Sequence, residues 1–236
     1  MKEISRLTVP LTKDTPTGGA GQDPEKRRQI LTGAREVFLE RGFDAASMGD
    51  ISRAAGVSKG TLYVYFQDKV DLFASLVTAE CDETAERLFV LDAAEPDVEA
   101  ALTKLGMSFL EAMMRPSHVA TVRMVIATAE KFPEIGKRFL EAGPRSGTRR
   151  LSAFLMAKVA QGQLQIEDTD TAASQYLSLA KDTILAPVLF GAADTIRREQ
   201  MENAVARAVQ VFMSAYGAGR ERVPLKVPAS PCPLGG

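Results

Sequence analysis

Histidine and cysteine are scarce in this chain, and tryptophan is absent. The single histidine, His118, rules out a multi-histidine metal cage and makes a Ser-His-Asp constellation improbable. Cys81 and Cys232 stand far apart, one of them in a Pro-rich tail, and form neither a disulfide framework nor a zinc spacing. Both read as reduced thiols of a cytoplasmic protein. No apolar run approaches the ~18 residues of a membrane span. The first 22 residues lack the roughly 7–15-residue apolar core of a secretory signal. No phosphate loop, nucleophile elbow or paired catalytic carboxylates stand out, so the chain does not read as an enzyme, and no cofactor is expected. The net charge is −1, so any nucleic-acid role has to come from a local patch.

What is present is ample apolar residue. Of 236 residues 45% are hydrophobic, enough for a sizeable core. The apolar period is helical nearly throughout, and no alternating β-branched run interrupts it. Residues 1–22 and the tail from Gly217 are Pro/Gly-rich and read as disordered. Between them about nine helices are expected, making an all-α protein. Asp23-Pro24 opens the first as N-cap and N1 proline, and Gly42 ends it. Ser47 caps a second short helix, with Asp50 as a capping-box variant, and Gly56 stops it. Ser58 caps a third. Lys69 begins a long fourth to about Leu91. Further helices are expected near 97–114, from Pro116 to about Lys131, from Glu134 to Val159 with a bend at Pro144, from Asp168 or Asp170 to Phe190, and from Asp194 to Tyr216.

Residues 47–66 read helix, glycine turn, helix, the signature of a helix-turn-helix. On a wheel of 59–66, Leu62 and Phe66 lie about 40° apart and face inward. Gly60, Thr61 and Val64 lie broadly opposite, flanked by Tyr63 and Tyr65. Lys59 projects from the first turn. Such a face suits a DNA groove. Gly60 permits close approach, Val64 can meet a thymine methyl, and Thr61 can bond a base edge or a phosphate. The tyrosine hydroxyls and Lys59 can hold phosphates. Packing of the tyrosines within a small helical subdomain is the plainer alternative.

The stretch ISRAAGVSKGTLYVYFQDKVDLF, with Gly42-Phe43 and the Ser47 cap, resembles the DNA-binding region of the tetracycline-repressor (TetR/AcrR) family of transcriptional regulators. The likeness covers roughly residues 24–75. By position, Lys59, Gly60, Thr61, Tyr63, Val64 and Tyr65 match that family's recognition-helix contacts, and Ser47 and Lys69 match flanking phosphate contacts. Val64 departs from the pattern, since many members carry His or another polar residue there. A weaker likeness, FPEIGKRFLEAGPRSGTRRLSAFL from Phe132, points to the C-terminal domain of the branch named after AefR.

The resemblance implies a helix-turn-helix domain over 23–68 and a helical ligand-binding and dimerisation domain over 69–216. It implies a homodimeric regulator, by family default a repressor, that binds a palindromic operator and is released by a small-molecule effector. The alternative is a helical DNA-binding or interaction protein without an effector. The last two helices would pair with their counterparts through Tyr176, Leu179, Ile184, Leu189, Ala204, Val205, Ala208, Val211 and Phe212; the same residues also suit an intrachain core. Met107, Phe109, Leu110, Met113, Met114, Val122, Ile126 and Phe154 are candidates for a soft apolar effector pocket, with His118 and Arg123 as its polar candidates. Methionines at helical spacing equally suit plain core.

Overall fold

The computed structural model describes residues 23–219. The arm at 1–22 and the tail from residue 220 lie outside them, and so does Cys232. Ten α-helices follow in order: α1 (Pro24–Ala45), α2 (Met48–Ala54), α3 (Lys59–Tyr65), α4 (Lys69–Leu88), α5 (Val98–Met113), α6 (Pro116–Ala129), α7 (Pro133–Leu140), α8 (Ser146–Ala160), α9 (Thr169–Leu189) and α10 (Arg198–Tyr216). The expected all-α class is what the described residues show.

The starts of the helices obey the sequence. Asp23 accepts the Glu25 N–H, Ser47 that of Asp50, Ser58 that of Thr61 and Asp168 that of Thr171. Three boundaries differ. The residue at Gly42 adopts φ 73° as a terminating glycine does, yet the chain resumes a helical turn to Ala45. The expected bend at Pro144 is met by a π-helical segment, Glu141–Arg145, so 133–160 is one continuous helical run. The wider turn accommodates a proline that has no N–H to give. Asp194 caps nothing, because α10 begins only at Arg198.

Two hydrophobic clusters organise the chain. The first joins α1, α2 and α3 to the first half of α4, with Val125 of α6 and Ile135 of α7. Phe38, Phe43 and Phe73 form its aromatic centre, with ring centroids 4.9–6.0 Å apart. The second joins α5, α8, α9 and α10 around Leu102, Leu110, Leu155, Tyr176 and Phe212. The Tyr176 hydroxyl, held in that interior, donates to the Leu102 carbonyl at 2.5 Å. Helix α4 therefore does not start a separate body at residue 69. Its N-terminal half is core of the first cluster, and its C-terminal end, at Leu88, packs against the second.

Candidate nucleic-acid interface

The turn between α2 and α3 is four residues long and rests on Gly56, whose φ of 63° is left-handed. The Gly56 N–H donates to the Arg53 carbonyl and the Val57 N–H to that of Ser52, which close α2. Gln29 of α1 donates to the Ala55 carbonyl at 2.7 Å and ties the turn to the first helix. The two helices also approach each other closely, since a Cβ at Gly33 would sit 2.4 Å from the Ala55 backbone nitrogen. Gly33 carried no signal in the sequence beyond being a glycine inside a helical pattern.

Helix α3 is seated by Leu62, fully buried, and Phe66, 2% exposed. Burying such side chains is worth about 1.5–3 kcal/mol each. The opposite face is open, with Tyr63 54% and Val64 66% exposed. Lys59 and Gly60 are exposed as well, and Thr61 is half-buried. A Cβ at Gly60 would meet nothing closer than the Ser58 hydroxyl at 3.8 Å. The chain's own packing thus does not require glycine there. Lys59 lies along α2, its Cε 3.4 Å from where a Gly49 Cβ would stand.

Four of the eight expected contact residues are committed within the chain. Lys69 is the clearest correction. Its ammonium donates to the carbonyls of Phe43 at 2.7 Å, Asp44 at 3.0 Å and Ala46 at 2.9 Å, and lies 4.6 Å from the Phe43 ring centre. All three protons are used, so none is left for a phosphate. Tyr65 is not on the open face either: it is half-buried, packs on the first cluster, and its hydroxyl accepts the Asp23 N–H at 3.1 Å. Ser47 donates its proton to Asp50 Oδ2 at 2.6 Å. Asp50 also pairs with Arg41 and Arg53, and the Ser47 hydroxyl above all holds its carboxyl below the usual range. Thr61 shares a 2.8 Å hydrogen bond with Ser58, which occupies part of its capacity.

The expected effector residues fall in three settings. Phe109, Leu110 and Phe154 are buried in the second cluster, with Met107, Met113 and Met114 packed against it. Val122 is buried on α6. Ile126 is 63% exposed. Arg123 is exposed and donates to the Val188 and Leu189 carbonyls at the end of α9, at 2.5 and 3.0 Å. Of these residues, His118 borders a polar cavity. That cavity, of about 160 Å³, lies among α1, α4, α5 and α6 and is lined mostly by charged residues. A further, shallow cavity of about 470 Å³ lies over the start of α5 beside Gln163 and Met213. Among the described residues no helix is long and apolar enough to cross a membrane, and no group of His, Cys, Asp or Glu could hold a metal.

Known proteins share both halves of this architecture. The profile of bacterial regulatory proteins of the tetR family matches residues 30–76. That of the AefR-like transcriptional repressor C-terminal domain matches residues 100–218. The HTH-type transcriptional repressor BepR of Brucella suis is 43% identical over 53 residues, 22% of this chain and 25% of BepR. The chain thus spans about a quarter of that relative's length in the match. The flavonoid-responsive regulator FrrA superposes with a TM-score of 0.71 at 33% identity, covering 83% of this chain and 98% of FrrA. A TetR-family protein from Mesorhizobium loti superposes with a TM-score of 0.78 at 24% identity, covering 82% of this chain and 98% of that one, a likeness of fold.

Proposed function

We propose, from the premise that this chain belongs to the tetR family of bacterial regulatory proteins and carries an AefR-like C-terminal domain, that it is a cytoplasmic repressor of transcription, working as a homodimer on a palindromic operator and released by a small-molecule effector. The observation that carries this reading is the open face of α3. Tyr63 and Val64 stand out of the molecule while Leu62 and Phe66 lock the helix to its support. Lys59, Gly60, Tyr63, Val64 and the remaining capacity of Thr61 form the face offered to the groove.

Dimerisation is the second part of the proposal. Tyr176, Ile184, Val205, Ala208 and Phe212, expected at the interface, are 0–5% exposed within one chain and belong to its core. Leu179 on α9 and Val211 on α10 remain 44% and 51% exposed and are offered to a second copy. A stable pair covers about 800 Å² on each partner. Two copies of α3 held ~34–36 Å apart would enter successive major grooves on one face of the duplex. The effector acts by favouring a pair with the wrong spacing; a hundredfold loss of DNA needs about 2.7 kcal/mol of coupling. FrrA, named for its response to flavonoids, is a precedent for small-molecule response in this architecture.

Fluorescence anisotropy with DNA from upstream of the chain's own gene, against scrambled DNA at the same salt, tests the reading. A specific complex should be at least about 10³-fold tighter than the random one. Equal affinities would overturn it.

A further inference from the structure

We propose that the half-open polar cavity between α1, α4, α5 and α6 is a binding site for a small dicarboxylate of three to five carbons. Its regulatory consequence rests on the reading above, but its existence does not.

The charges around the cavity do not balance. Arg35 of α1, Arg87 of α4 and Arg115 before α6 line it, against Glu80 and Glu83 of α4. Arg35 Nε lies 3.1 Å from Glu80, and Arg87 lies 4.0 Å from Glu83. Arg115 has no carboxylate partner among the described residues. The two pairs are also unequal. The first is a close ion pair, whereas the second is at the limit of one and leaves its guanidinium available. Two cations, Arg87 and Arg115, are therefore poised for two carboxylates. A guanidinium's planar fork of donors matches a carboxylate edge.

Neutral donors converge on the same space. Thr84, Ser117 and His118 line it, and none of the three side chains has a hydrogen-bond partner among the described residues. Burial first, and Arg115 second, lower the His118 pKa, so its ring is neutral at pH 7 and offers one N–H. A volume of about 160 Å³ holds roughly five waters at ~30 Å³ each. That is room for a short diacid and not for a large apolar effector.

The position links the two hydrophobic clusters. Glu80 joins Arg35 on α1 to Thr121 on α6, whose hydroxyl donates to Glu80 Oε2 at 3.3 Å. A diacid here would touch α4, α6 and, through Arg35, the helix on which the helix-turn-helix rests. Its charge would compete with Glu80 for Arg35. The site thus sits where occupancy can be felt at α1.

Isothermal titration of the full chain with malonate, succinate and glutarate, at constant ionic strength set with chloride, tests the assignment. Succinamide is the neutral control. At least one diacid should bind saturably with Kd below about 1 mM, and succinamide should not bind. Arg115→Ala, at an exposed position, should keep the wild-type melting temperature and weaken the diacid at least tenfold, with partial recovery in Arg115→Lys. Glu83→Gln should tighten it by removing a like charge. No saturable diacid binding, equal binding of succinamide, or an unchanged affinity in Arg115→Ala would each overturn the site. Anisotropy on the same preparations separates the two claims. Specific DNA binding with no diacid binding would sink this site alone. Diacid binding without specific DNA binding would sink the regulator reading alone.

Discussion

The ammonium of Lys69, the first residue of α4, lies 2.7 Å from the carbonyl oxygen of Phe43, beyond the glycine break in α1. With the Asp44 and Ala46 carbonyls it makes a three-way cap on the chain leaving α1. Helix α4, which follows α3, is thereby fastened to α1, which supports α3. Any rotation of α4 must carry this cap along or break it.

Lys69→Met separates the structural role from a phosphate contact. Charged hydrogen bonds of this kind contribute about 1.5–3 kcal/mol, and chemical denaturation of the variant should show a loss in that range. The slope of log affinity against log salt should stay as in the wild type, since no phosphate contact is removed. A slope shallower by about one would restore Lys69 to the DNA contacts.

Gly60→Ala pits folding against recognition. Space for the methyl exists, and φ at Gly60 is not left-handed. Alanine favours a helix over glycine by about 0.8–1 kcal/mol in a helix interior, so the melting temperature should hold or rise. Operator affinity should fall at least tenfold, because the methyl occupies space that the duplex needs. Unchanged affinity would show that α3 does not approach a duplex closely at this position.

His118 should make stability pH-dependent. Its folded pKa lies below the ordinary 6.5, through burial first and Arg115 second. The folded protein therefore binds fewer protons than the unfolded chain just below pH 6.5. Stability is full above that value and is lost as pH falls through the window between 6.5 and the lowered folded value. Urea denaturation across this window should show a shallower decline for His118→Gln than for the wild type.

Lys158 should prove indispensable to the second cluster. It is fully buried. Its ammonium donates to the Ala93 carbonyl at 2.9 Å, the Glu95 carbonyl, and Gln161 Oε1 at 3.1 Å, holding the α4–α5 loop. Lys158→Met keeps the apolar stem and orphans the Glu95 carbonyl. A cost of about 2–3 kcal/mol is expected, read by calorimetry as a fall in melting temperature of about 4–12 °C.

Local chemistry made much of this legible in the sequence. Asp23-Pro24, Ser47, Gly56 and Ser58 act on their immediate neighbours, so caps and turn could be read along the chain. So could the inward pair Leu62 and Phe66, which follows from helical period alone. The backbone partners of Lys69, Tyr65 and Lys158 could not, because they come from 23 to 65 residues away. A lysine at the start of a helix looks free until the fold brings carbonyls to it. The wheel put Tyr65 on a flank without showing that α1 covers that flank. The apolar residues of α5 to α8 read equally well as pocket or core, and packing density, which the sequence does not carry, placed Phe109, Leu110 and Phe154 in the core. The polar cavity was missed because its charges come from α1, α4 and the residue before α6, up to 80 positions apart, with His118 the one member that stood out.

The most direct test of base reading by α3 is the affinity of Val64→Ala, beside the wild type, for a panel of operators each changed symmetrically at one base-pair position. The expected result is a preference of about 1–3 kcal/mol lost at one position in each half-site, with the others unaltered. A loss spread evenly over every position, or none anywhere, would contradict base reading by the open face of α3.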